Sequence, residues 1–153
     1  MSSLDSLYQE IILDHAKARH GQGILDNPDG ESFQVNPTCG DQVTVQVNLE
    51  GDTIRQLVWD GKGCSISQAS ISVMTGLVEG KTVAESEELL GLFQELMNAR
   101  GKGIADDKLD RLEDGAAFVG VAQFPARIKC ALLGWMAMRD ATIKASKGKG
   151  EGE

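Results

Sequence analysis

No stretch of the 153 residues reaches the ~18 consecutive apolar positions that a membrane span requires, because Gly, Ser or a charged residue interrupts every apolar segment. The opening Met1-Ser-Ser-Leu-Asp5 lacks a basic stretch followed by an apolar run, so no secretory signal is read and a cytoplasmic protein without a membrane partner is expected. Basic residues are few: 15 Lys and Arg against 23 Asp and Glu leave a net charge of −8. Those cations are scattered rather than gathered into the stripe that neutralises a phosphate backbone, which argues against nucleic acid and for a protein partner. No serine stands in a nucleophile elbow. Gly61-Lys-Gly63 lacks the Lys-Ser or Lys-Thr that completes a phosphate-binding loop. Cysteine is scarce too: three residues, an odd number, cannot form a disulfide framework, and no Cys-x-x-Cys pair is present.

What remains is an ordinary globular composition, 41% hydrophobic and 25% charged, in a chain long enough for one core. A single domain over residues 1–146 is expected, with an exposed insertion at about 99–115, where polar, charged and turn-forming residues leave nothing to bury. A disordered Lys-Gly-Lys-Gly-Glu-Gly-Glu tail is expected over 147–153. Leu4, Leu7, Ile11, Ile12 and Ala16 line one face of a helix between Ser3 and His20. Residues 21–38, rich in Gly, Asn, Asp and Pro, read as a long surface connection. Val43, Val45 and Val47 alternate with polar residues as a half-buried strand does. Glu50-Gly51-Asp52 turns the chain into a second strand, Thr53 to Trp59, whose poorer alternation suggests a bulge or burial on both faces. Helical spacing returns at Ile66, Ala69, Val73 and Leu77, capped by Ser65 or Ser67, and again over Val83 to Asn98. Ala116 to Gln123 is a short helical piece ended by Pro125, and a last helix runs to about Lys144.

The hairpin makes the cysteines informative. Cys39 precedes the first of these strands and Cys64 follows the second, so antiparallel pairing brings them to one end of the sheet. Asp41 can face the same side, and Cys130, early in the last helix, can complete the group. Three thiolates and a carboxylate suit zinc, or iron in a cluster, and geometry does not choose between them. Burial of three unrelated thiols is the competing reading; glycines beside the cysteines (Gly40, Gly61, Gly63), the acidic neighbour Asp41, and Arg127 one turn before Cys130 weigh against it. His15 and His20 are far from the cysteines in sequence and read as surface or capping groups.

Four segments carry a resemblance: Leu7-Tyr-Gln-Glu-Ile-Ile-Leu-Asp-His15, Asn36-Pro-Thr-Cys-Gly-Asp41, Gly61-Lys-Gly-Cys-Ser-Ile-Ser67 and Phe124-Pro-Ala-Arg-Ile-Lys-Cys130. In this order they resemble the SufU family, of the IscU-like iron–sulfur scaffold fold, over about Leu4 to Lys144. Lys at position 129, where IscU scaffolds carry histidine, Phe124-Pro-Ala-Arg-Ile128 in place of a chaperone motif, and the insertion all point to the SufU branch. The resemblance implies an α+β fold, with a small antiparallel sheet packed against several helices. It implies zinc held by Cys39, Asp41, Cys64 and Cys130, with iron or an iron–sulfur cluster as the alternative at the same site. It further implies a sulfurtransferase in which Cys39 accepts persulfide sulfur from a SufS-type, pyridoxal-phosphate cysteine desulfurase, whose histidine replaces Cys39 on the zinc. Arg127 would stabilise the thiolate or persulfide charge, and downstream cluster-assembly proteins would receive the sulfur. The alternative function is a scaffold on which iron–sulfur clusters are assembled.

Overall fold

The computed structural model describes residues 3–37 and 40–151. Its elements are α1 (Ser3–Ala18), β1 (Gly30–Asn36), β2 (Asp41–Glu50), β3 (Thr53–Lys62), α2 (Ser65–Val78), α3 (Val83–Asn98), α4 (Asp106–Arg111), a 3-10 segment (Glu113–Gln123) and α5 (Pro125–Glu151). The strands form one antiparallel sheet in the order β1-β2-β3. Helices α2 and α5 pack together, and α5 lies across β1 and β2. No described helix is long and apolar enough to cross a membrane.

In β2 the alternation acts as expected: Val43, Val45 and Val47 are buried while Thr44 stays half-buried. In β3 the register shifts at Asn48/Leu49, where Gln56 pairs with Asn48 and Ile54 with Leu49. The extra residue, Arg55, restores inward phase, so Ile54, Leu57 and Trp59 all reach the core despite their uneven spacing. A stacked Phe93–Trp135 pair, with Phe118 edge-on to Phe93, fills the core beneath α5.

Strand β1 lies inside the segment expected to be a surface connection. Its inward positions are Gly30, Ser32 and Asn36, and its outward ones include Phe33 and Val35, so its polarity pattern is inverted. Close approach of α5 explains this: a Cβ on Gly30 would stand 2.8 Å from the Ala145 nitrogen, and Ser32 donates to Asp140 of α5 at 2.7 Å. Small residues of α5, Ala137, Ala141 and Ala145, are buried on this helix.

Other boundaries also differ. The stretch expected as an exposed insertion without a buried face contains α4, and Leu112 just after it is 0% exposed. A six-residue helix is enough to turn one leucine into the core. Helix α5 continues past Lys144 through Glu151, including the first residues assigned to the tail. Pro125 opens α5, a position where its missing N–H costs no hydrogen bond. Of the expected α1 face, Ile12 is buried and Ile11 and Ala16 are half-buried, but Leu4 and Leu7 are exposed; α1 packs mainly along α2 and the 3-10 segment. Cys64, not Ser65 or Ser67, is the N-cap of α2.

Candidate metal centre

Asp41 is the first residue of β2 and is 2% exposed. Its carboxylate is held in two ways: Oδ1 accepts the Cys64 N–H at 3.1 Å, and Oδ2 stands 3.5 Å from Cys64 Sγ. Cys64 itself follows β3, where the chain leaves the sheet to start α2, and its side chain is exposed. Its carbonyl accepts from Ser67 Oγ at 3.0 Å and from the Gln68 N–H at 3.1 Å, which fixes the turn. Cys130, buried, comes from the second turn of α5. Donor atoms of Asp41, Cys64 and Cys130 all lie within 4.8 Å of one another.

The backbone at Gly63 makes this approach possible. A Cβ there would stand 2.7 Å from Asp41 Cγ and Oδ1, displacing the carboxylate. The donor set fits zinc: with Zn–S of about 2.3 Å and Zn–O of about 2.0 Å, tetrahedral geometry separates a thiolate from a carboxylate oxygen by about 3.5 Å. The Cys64–Asp41 separation has this value.

Cys39, expected as fourth ligand and sulfur acceptor, lies outside the described residues. On either side of it, Asn36 pairs with Asp41 and the Gly40 N–H bonds the Asn36 carbonyl at 2.8 Å, so the end of β1 and the start of β2 stand at the same sheet end as Cys64. Arg127, also expected at the site, is exposed, with its guanidinium 4.5 Å from the Phe124 ring centroid. The histidines serve the fold. His15 bridges α1 to its neighbours, with Nδ1 2.9 Å from Ser72 Oγ and Nε2 2.9 Å from Asp114 Oδ2, and the His20 N–H donates to the same Ser72 oxygen at 3.0 Å. Ser67, expected only as a possible cap, braces Cys64 from three residues on through its hydroxyl, a Cys-x-x-Ser spacing readable only once Cys64 is known to begin the helix. Arg19 is a second such brace, lying over Trp59 and donating to the Gly61 carbonyl at 3.0 Å.

Residues 7–131 match the family described as NifU-like N terminal domain. The chain is 39% identical to the zinc-dependent sulfurtransferase SufU of Bacillus subtilis over 96% of this chain and 97% of that one. It is also 35% identical to the iron-sulfur cluster assembly scaffold protein IscU of Streptococcus pyogenes, over 97% and 91%. Among solved structures, a protein of Fervidobacterium islandicum described as an iron-sulfur cluster assembly scaffold protein for the SUF system (SufU) superposes with a TM-score of 0.80 at 32% identity, covering 90% of this chain and 97% of that one. The N-terminal part of a NifU-like protein from Brucella abortus gives 0.82 at 26% identity, over 95% and 99%. A three-stranded antiparallel sheet backed by helices, a clustered Asp-Cys-Cys donor set and these matches over nearly the full length have one common meaning: the chain belongs to the NifU-like N-terminal domain family, in its SufU and IscU group of iron–sulfur cluster assembly proteins.

Proposed function

We propose that the protein is a cytoplasmic, zinc-dependent sulfur acceptor that takes persulfide sulfur from a SufS-type cysteine desulfurase and passes it to downstream cluster-assembly proteins. The convergence of Asp41, Cys64 and Cys130 within 4.8 Å is the observation that carries this reading. Cys39, Asp41, Cys64 and Cys130 would hold the metal. Zinc bound there would supply a charge that keeps the coordinated thiols deprotonated near neutral pH.

The acceptor role falls to Cys39, two residues before the candidate ligand Asp41 in the sequence, whereas Cys64 is bound into a helix start and Cys130 into a helix. Its thiolate attacks the outer sulfur of the donor's cysteine persulfide. A new S–S bond forms on Cys39, the donor's S–S bond breaks, and the electron pair leaves with the donor's cysteine thiolate. Asp41 stays in place through its Cys64 N–H bond, and Arg127, one helical turn before Cys130, offers positive charge to the sulfur anion. Lysine at position 129 separates this reading from that of an assembly scaffold, whose family members carry histidine there.

Mass spectrometry after incubation with desulfurase, pyridoxal phosphate and cysteine tests the assignment. One sulfur is expected on the peptide containing Cys39, and Cys39→Ser is expected to abolish acceleration of the desulfurase while retaining the fold. Sulfur found only on Cys64 or Cys130, with Cys39→Ser fully active, would overturn it. Metal analysis separates the alternatives: colourless protein with one zinc fits transfer, and brown protein with sulfide fits assembly.

A further inference from the structure

Helices α2 and α5 meet in a close-packed seam: a Cβ on Gly134 of α5 would stand 2.9 Å from the Ile71 side chain of α2. A cavity of about 10 Å³ interrupts that packing, with room for a single water molecule and for nothing larger. Residues beside each candidate ligand line it. Gln42 follows Asp41, Ser67 braces Cys64, and Leu133 and Gly134 lie one turn beyond Cys130 on the same face of α5. Gln68 closes the cavity from α2 and is only 7% exposed. Its backbone N–H bonds the Cys64 carbonyl at 3.1 Å, which joins it to the turn that carries the ligand. Its side-chain Oε1, by contrast, is wholly buried and meets no hydrogen-bond donor among the described residues. A buried amide left unpaired is costly, and an apolar residue of similar size would fill the seam without that cost. Ser67 and Gln42 add further polar side chains to the lining, so the cavity offers the several partners that an enclosed water needs.

We propose that one ordered water occupies this cavity and donates to Gln68 Oε1, and that this bridge makes Gln68 a positioning residue for the metal centre. Amide and water together fix the spacing between α2, which Cys64 caps, and α5, which carries Cys130. The proposal rests on the reading that Asp41, Cys64 and Cys130 hold zinc. Without the bridge the seam is free to close or slide, and the two thiols move with their helices. Groups that hold metal ligands from behind set affinity in this way, because a ligand that must be reoriented on binding binds more weakly.

A high-resolution crystal structure tests the first half. One water is expected within hydrogen-bond distance of the Gln68 amide; an empty cavity, or an amide turned to a protein partner, overturns the proposal. Gln68→Met and Gln68→Leu, which replace the amide with apolar groups of similar size, test the second half. Each is expected to bind zinc about tenfold more weakly in competition with a chromophoric chelator, the loss typical of removing a ligand's outer support. The ligand-field bands of the cobalt(II)-substituted variants are expected to shift, while the metal-free variants melt at or above the parent temperature because no unpaired amide remains buried. Leu112→Ala, which loosens the core elsewhere, is expected to do the reverse: a lower melting temperature with parent-like affinity and cobalt spectrum. Parent-like affinity and spectra in both Gln68 variants overturn the positioning role, as does an equal loss of affinity in Leu112→Ala. If one Gln68 variant fails to fold, the other decides. A parent protein that binds no zinc sinks the metal-centre reading itself, an outcome distinct from zinc binding that ignores Gln68.

Discussion

At Gly63 the backbone passes so near Asp41 that a single methyl group would occupy space now taken by the carboxylate. Gly63→Ala is therefore expected to retain the fold but lower zinc affinity by roughly ten- to a hundredfold, the loss typical of disturbing a ligand's orientation. Competition with a chromophoric chelator measures it, and unchanged affinity would remove Asp41 from the metal site. Asp140 offers a second test at this scale. The Ser32 hydroxyl first, and then Lys144 through a hydrogen bond and its charge, hold the Asp140 carboxyl below its ordinary value of 3.8. With the folded value below the unfolded one, the contact stabilises the protein at and above pH 3.8 and is lost as pH falls through the depressed value. Ser32→Ala is expected to raise the Asp140 pKa toward 3.8, as followed by carboxyl NMR titration.

Elements whose burial is one-sided and regular were legible in the sequence. Strand β2 and α3 are examples, and α3 also carries a capping box in which the Glu85 N–H bonds Thr82 Oγ1 and the Thr82 N–H bonds Glu85 Oε1, both at 3.1 Å. Strand β1 was not legible, because its inward positions are small or polar and its apolar side chains face out. Nor was the segment after α3, where Ile104, Leu109 and Leu112 are too few among the charged residues to give a periodic signal. Leu112 is nevertheless fully buried. Leu112→Ala is expected to cost about 2–5 kcal/mol, the range for truncating a buried leucine. Thermal denaturation would read this as a drop in Tm of about 4–20 °C at about 2–4 °C per kcal/mol; a shift below 2 °C would return the segment to the status of a dispensable insertion.

For the whole molecule, the candidate metal centre joins the start of β2, the cap of α2 and the second turn of α5, so metal binding is linked to global stability and not to one loop. At free zinc about a thousandfold above the dissociation constant, linkage supplies about 4 kcal/mol. The expected rise in Tm is about 8–16 °C, reversed by a chelator and visible by calorimetry. A Tm indifferent to zinc would show that the cluster does not bind the metal in the folded state.

Local patterning determined β2 and α3, whose amphipathic repeats match the backbone period, while apolar spacing located α1 and α2 and the Glu50-Gly51-Asp52 turn located the β2–β3 hairpin. Motif order determined the family, and hairpin topology already placed Cys64 at the sheet end where Asp41 begins β2. Tertiary structure alone decided that Cys130 joins them, that β1 completes the sheet, and that His15 braces α1 rather than a metal. These features depend on contacts between residues far apart in the chain: Ser32 and Asp140 are separated by 108 positions, and His15 and Asp114 by 99. Periodicity reports which face of an element is buried. It carries no information about which other element covers that face, and that choice is made by close approach at Gly30 and Gly63 and by the packing of α5 across the sheet.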